Sequence, residues 1–128
     1  HIAPNTTLTS GTSKIKIGNC VGISNNCAIH ASTAEYLNPS LDYPTIPKRF
    51  KFGGISKNVI LEDYVLIGSG CLLLPGLKFP LGAAAAGHTI LRERKYDQWT
   101  LYSGYNADKL SNRKKSKVLN SKIKNYFK

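Results

Sequence analysis

Apolar residues return every six positions from Ile55 to Leu91. Ile55, Leu61, Ile67, Leu73, Phe79, Ala85 and Leu91 fill the first slot of each six, and Val59, Val65, Cys71, Leu77, Ala83 and Thr89 fill the fifth. A helix would repeat about every 3.6 residues and a half-buried strand about every 2, so neither accounts for the pattern. A short period held over many copies is the mark of a solenoid. Three sixes per turn predict an all-β, parallel β-coil whose first- and fifth-slot side chains point inward and stack on the coil above. Gly68, Gly70, Gly76 and Gly82 then fall at corners, where the backbone needs positive φ or close approach.

A second block precedes this one, with Ile17, Ile23 and Ile29 in the first slot and Val21, Cys27 and Thr33 in the fifth. The interval from Ile29 to Ile55 is not a multiple of six, so residues 34–54 read as an insertion. Its prolines and glycines (Pro39, Pro44, Pro47, Gly53, Gly54) and its aromatics (Tyr36, Tyr43, Phe50, Phe52) lie among Lys48, Arg49 and Lys51. That mixture predicts an ordered excursion, and long ordered loops on rigid scaffolds frequently carry function. Upstream, Ile2 with Thr6 and Leu8 with Thr12 continue the pattern, so the start at His1 is expected to be either a cut through an earlier coil or an irregular cap. The coil is assigned to residues 1–91 and a separate extension to 92–128.

Charge sharpens that boundary. The chain of 128 residues and 14.0 kDa, one domain by size, carries a net charge of +11, and residues 92–128 hold +8 of it. Leu119, Ile123, Tyr126 and Phe127 are spaced for one face of a helix, predicting a basic helical tail docked on the assembly. Contact of that tail with an anionic membrane surface is the sharper reading. Nucleic-acid binding is the weaker one, because charge without a recognition motif gives only salt-dependent affinity for polyanions. No signal or long apolar run supports a targeting or transmembrane reading. Three cysteines without CxxC spacing point to reduced thiols and a cytoplasmic setting, with Cys27 and Cys71 in the core and Cys20 at a corner. No His, Cys and carboxylate set has metal-ligand spacing, so no metal is expected.

The run Ile67-Gly-Ser-Gly-Cys-Leu-Leu-Leu-Pro-Gly76, then Ala84-Ala-Ala-Gly-His-Thr-Ile-Leu91 and Trp99-Thr-Leu-Tyr-Ser-Gly104, resembles the C-terminal half of hexapeptide-repeat acyltransferases. Within that superfamily the likeness is greatest to sugar O-acetyltransferases of surface-polysaccharide clusters and to galactoside and maltose acetyltransferases. The resemblance implies a left-handed β-helix, a homotrimer and acetyl-CoA as acyl donor. In these enzymes a histidine just beyond the last strand before the loop takes the proton of the sugar hydroxyl, and that position here is Ala34. Three residues are candidates to replace it: His30 on the strand entering the loop, Glu35 one residue past the family position, and His88 at a coil corner.

On the donor side the resemblance maps the pantetheine arm onto small corner residues, Ser69 and Gly87, where a bulky side chain would block backbone access. The family's basic segment near the CoA phosphates reads here Gly104-Tyr-Asn-Ala-Asp-Lys-Leu110, so Lys109, Arg113 and Arg92 are expected to supply charge that Asp108 opposes. Tyr36 and Tyr43 suit stacking on a sugar ring. The resulting expectation is an acetyl-CoA-dependent saccharide O-acetyltransferase of cell-surface polysaccharide synthesis, cytoplasmic or peripheral to the inner membrane face. The alternatives are an N-acetyltransferase of an amino-sugar nucleotide and an idle β-helix scaffold trimer.

Overall fold

The computed structural model describes residues 1–37, 43–51 and 53–115. The tail positions Leu119, Ile123, Tyr126 and Phe127 lie outside the described residues. Short strands stack into the three faces of a parallel β-helix. The first face holds β1 (Thr7–Thr9), β4 (Ala28–His30), β9 (Leu72–Leu73) and β12 (Ile90–Leu91), in that order. The second holds β2 (Ile15–Ile17), β7 (Val59–Leu61) and β10 (Lys78–Phe79). The third runs β3 (Gly22–Ile23), β8 (Leu66–Ile67), β11 (Ala84–Ala85) and β13 (Thr100–Ser103), and β14 (Asp108–Asn112) adds antiparallel to its edge.

Register follows the sixes. Ile29 pairs with Leu73 and Leu73 with Leu91; Ile17 pairs with Leu61 and Leu61 with Phe79; Ile23 pairs with Ile67 and Ile67 with Ala85. From Leu61 to Leu91 every first- and fifth-slot side chain is buried. Each fully buried aliphatic chain contributes about 1.5–3 kcal/mol, so the stack of inner residues holds the fold together. The glycine expectation also holds. Gly70, Gly76 and Gly82 have φ of 70°, 85° and 66°. Gly68 is a close-approach position, because a Cβ there would lie 2.7 Å from the Gly87 nitrogen.

The pattern and the structure part in three places. Ile55 fits the first slot, yet it sits in β6 (Ile55–Ser56), which pairs antiparallel with β5 (Ser32–Thr33); the two strands form the stem of the insertion. Thr12 does not point inward. Leu8 stacks in register on Ile29, but the first coil carries three residues more than an eighteen-residue turn, and the extra length turns Thr12 outward to Ser56. Most consequentially, the stack does not stop where the sixes stop. β13 pairs parallel with β11, and Tyr96, Thr100 and Tyr102 are buried. Residues 92–112 therefore add another layer to the coil rather than a separate extension. Charged and aromatic residues hide that layer from a hydrophobic count.

That layer is an aromatic plug. Phe79, Tyr96 and Tyr102 pack with ring centroids 5.0–6.0 Å apart, two of the three contacts edge to face. Their hydroxyls are satisfied, since Tyr96 Oη donates to the Arg92 carbonyl at 2.7 Å and Tyr102 Oη accepts from the Asp97 N–H at 2.6 Å. Burial pushes the Tyr96 hydroxyl above its ordinary pKa, against the pull of neighbouring Arg94.

Candidate functional site at one corner of the coil

Between the third and first faces the chain turns through the same conformation at successive coils. Asn26, Gly70 and His88 occupy equivalent places there, with φ of 59°, 70° and 58°. Asparagine and glycine are the residue types that tolerate this left-handed geometry, and His88 is the exception. The residues just before them, Asn25, Ser69 and Gly87, are exposed. Their backbone N–H groups find no protein acceptor among the described residues. Successive strands lie about 4.8 Å apart, so these three amides form a ladder of free donors climbing the corner. Ser69 Oγ donates to Asn25 Oδ1 at 2.7 Å, and the His88 N–H donates to the Ser69 carbonyl at 2.8 Å. The two inward cysteines brace the corner from behind. Cys27 Sγ donates to the Gly68 carbonyl at 3.2 Å and Cys71 Sγ to the Ala86 carbonyl at 3.1 Å. Burial raises the Cys71 thiol above its ordinary pKa and keeps it a neutral donor.

Ser69, Gly87 and His88 are thus brought together. The His88 ring lies against Gly70, and its nitrogens have no protein hydrogen bond among the described residues, which leaves them available to a bound molecule. His30 ends β4 at the opposite edge of the first face, half-buried and likewise without a ring hydrogen bond. His30 is level with Arg92 in register, four residues past His88, so across about 13 Å of strand and two strand spacings the two histidines do not form one constellation. Glu35 is half-buried at the root of the insertion, where its Oε1 accepts from the Leu37 N–H at 3.0 Å, so it fastens the loop. Tyr36 and Tyr43 stand on that loop, 85% and 58% exposed.

The basic residues expected to gather around phosphates are dispersed. The Arg92 guanidinium donates to the Tyr105 carbonyl at 2.9 Å and lies 4.6 Å from the Tyr105 ring centroid. Lys109 Nζ is 3.9 Å from Asp97 in an exposed pair. Arg113 donates to the Gly82 carbonyl and faces Trp99, at a different corner. The reason is local: Arg92 and Arg113 are engaged by nearby carbonyls and rings, and Lys109 by the Asp97 carboxylate. Arg92 alone stays near the candidate corner, because the Gly104 N–H is held by Thr89 Oγ1 and places the turn at Tyr105 below His88. Two residues escaped the sequence reading. Asn25 shares the third slot of its six with Ser69 and Gly87, a signal that was present. Arg94, which donates to the Asn106 and Ala107 carbonyls and stacks 4.7 Å from the Tyr96 centroid, had none, because it lies past the last clean six.

Among the described residues no cluster of His, Cys, Asp and Glu is disposed to hold a metal ion, and no helix is long and apolar enough to cross a membrane.

No protein-family model matches the chain, and no curated protein matches it either. Solved structures do. The chain is similar to AntD, an N-acyltransferase from Bacillus cereus, in complex with dTDP and 3-hydroxybutyryl-CoA, with 28% identity and a TM-score of 0.84. It is similar to a serine-to-threonine variant of AntD with dTDP and coenzyme A, with 28% identity and a TM-score of 0.86. A serine-to-cysteine variant with dTDP-4-amino-4,6-dideoxyglucose and coenzyme A gives 27% identity and a TM-score of 0.81. Each likeness covers 99% of this chain and 65% of the AntD chain, so the chain spans just under two thirds of the proteins it resembles.

Proposed function

We propose that the chain is a CoA-dependent N-acyltransferase that moves an acyl group from a thioester to the amino group of a nucleotide-linked sugar. The observation that carries this reading is the likeness, over 99% of the chain, to AntD bound to coenzyme A with a dTDP-linked amino sugar. It favours nitrogen over the saccharide oxygen expected from the sequence.

Ala34 supports the same choice. A sugar hydroxyl is a poor nucleophile until a base removes its proton, whereas an uncharged amine attacks a thioester carbonyl unaided and loses its proton afterwards. Loss of the family histidine therefore costs an amine acceptor much less. In the reaction the C–N bond forms and the C–S bond breaks; the amine gives up one proton and the departing thiolate is protonated. The free amides of Asn25, Ser69 and Gly87 suit the carbonyls of a pantetheine arm, and His88 is the base nearest to them. His30 stands nearer the loop. Arg92 is the cation retained for phosphate.

The assembly in this reading is a homotrimer in the cytoplasm. Two faces present apolar outward positions, Leu66, Ala84 and Leu101 on one and Ala28, Leu72 and Ile90 on the other, whereas the remaining face presents Ile60 between Lys16 and Lys78. The donor corner lies between the two apolar faces, where neighbouring copies would shelter it. Tail contact with a membrane concerns residues outside the described ones.

The test incubates the chain with dTDP-4-amino-4,6-dideoxyglucose and either acetyl-CoA or 3-hydroxybutyryl-CoA, following thioester loss and product mass. An acylated amino sugar is expected, with no product from the 4-hydroxy analogue. Acylation of the hydroxyl sugar alone would restore the O-acetyl reading, and CoA binding without turnover on either would favour an idle scaffold.

A further inference from the structure

Thr6, Cys27, Cys71 and Thr89 stand one above another on the inner side of the candidate corner, each two residues ahead of the register-matched Leu8, Ile29, Leu73 and Leu91. All four carry a hydroxyl or a thiol, and the last three are buried. Three of them donate to the corner carbonyl of the coil above. Thr6 Oγ1 reaches the Ser24 carbonyl at 2.9 Å, Cys27 Sγ the Gly68 carbonyl at 3.2 Å, the shorter of its two contacts, and Cys71 Sγ the Ala86 carbonyl at 3.1 Å. Thr89 Oγ1 brings a second donor to Ala86, at 2.7 Å.

Among the described residues every peptide is trans, and the C=O and N–H of a planar trans peptide point to opposite sides. A carbonyl drawn inward at Ser24, Gly68 or Ala86 therefore turns the next N–H outward, and those N–H groups belong to Asn25, Ser69 and Gly87. The carbonyls that follow are taken up within the corner, that of Asn25 by the Gly70 N–H at 3.1 Å and that of Ser69 by the His88 N–H at 2.8 Å. At these two rungs the corner thus turns donors outward and keeps its acceptors. One coil further the arrangement inverts. Thr89 Oγ1 accepts from the Gly104 N–H at 3.3 Å, so the peptide between Ser103 and Gly104 is turned the other way and the ladder ends at Gly87. A hydroxyl donates to one peptide and accepts from the next, whereas a thiol is a weak acceptor, so threonine rather than cysteine suits the last place.

We infer that Thr6, Cys27, Cys71 and Thr89 are positioning residues that aim the amides of Asn25, Ser69 and Gly87 at the carbonyl oxygens of the pantetheine arm, a role that rests on the acyltransferase reading above. Cys27, Cys71 and Thr89 are buried and reach the outside only through a carbonyl and the peptide attached to it. The stacked coils then hold three aimed donors in one line, about 4.8 Å apart.

Titration calorimetry of coenzyme A binding to the whole chain tests this with paired substitutions that keep or remove the donor. Cys71→Ala and Thr89→Val remove it; Cys71→Ser and Thr89→Ser keep it. Loss of one fixed amide is expected to weaken coenzyme A about three- to tenfold, the range of one neutral hydrogen bond, while both serine variants bind within about twofold of the unaltered chain. Melting midpoints measured alongside separate aim from packing, because all four changes disturb the core but only two remove a donor. Unaltered affinity in Cys71→Ala and Thr89→Val, or a loss that follows the melting midpoint whether or not the donor is kept, would overturn the role and leave the acyltransferase reading standing. If the unaltered chain does not bind coenzyme A, that reading fails and the role with it. Thr6→Val against Thr6→Ser, at the half-buried first rung, gives the same comparison should Cys71→Ala fail to fold.

Discussion

The imidazole of His88 occupies the space that a side chain on Gly70 would need: a Cβ built there would lie 2.6 Å from both Cε1 and Nδ1 of the ring. Gly70 is also in the left-handed region, with φ of 70°. Gly70→Ala thus meets two costs, the conformational one of about 1–3 kcal/mol and displacement of the ring. Chemical denaturation should show a loss at or above that range, and the double variant Gly70→Ala with His88→Ala should recover only the steric part. Full recovery would mean that the backbone there carries no strain.

Ile67 and Leu66 are neighbours in β8, yet one is fully buried and the other 47% exposed. Ile67→Asp places an unpaired carboxylate in the apolar stack, costing several kcal/mol, and should unfold the coil. Leu66→Asp should leave the monomer's circular dichroism intact while breaking the self-association that the proposed trimer needs. Sedimentation alongside thermal melting distinguishes the two. An Ile67→Asp variant that melts normally would contradict the register.

Arg94 closes the far end of the stack by tying the turn at Asn106 and Ala107 to the aromatic plug. Arg94→Ala removes those hydrogen bonds and the cation above Tyr96 and Tyr102, and is expected to cost about 1–3 kcal/mol. Lysine keeps the charge but not the planar fork, so Arg94→Lys should fall between the two. Equal stability of all three chains would show that the plug holds without its cover.

These cases also show what the sequence made legible and what it did not. Inward positions such as Ile67, Leu73 and Leu91 could be read because a stacked coil repeats one environment, and repetition survives without knowledge of contacts. The corner glycines were readable for the same reason. The last layer was hidden because its core is Tyr96, Thr100 and Tyr102, whose polar atoms are satisfied by backbone groups that only folding brings near. The candidate corner could be located from its small residues, Ser69 and Gly87, because they share one slot of the repeat. Arg113 and Lys109 were misplaced, since their partners Gly82 and Asp97 are set by how the last layer turns.

The three cysteines should differ sharply in reactivity. Cys20 is exposed, whereas Cys27 and Cys71 are buried with their thiols donating to carbonyls. A thiol reagent under native conditions should modify Cys20 alone, and the other two only after denaturation. Mass mapping of the labelled peptides reads this directly. Rapid native labelling of Cys71 would mean that the candidate corner opens.

Stability should fall on the alkaline side. Burial is the first cause that raises both the Cys71 thiol and the Tyr96 hydroxyl in the folded chain above their ordinary values of 9.0 and 10.0. Above those values the unfolded chain releases protons that the folded chain retains, so the unfolded state binds fewer protons and the unfolding free energy declines with pH. The contribution is complete below pH 9 and is lost as pH rises through the raised folded values. Denaturation midpoints from about pH 8 to pH 11 should therefore decline, and Cys71→Ala should make the first part of the decline shallower while lowering the midpoint throughout through its lost hydrogen bond. A slope unchanged by Cys71→Ala would assign the alkaline loss to Tyr96, and Tyr96→Phe should then flatten it.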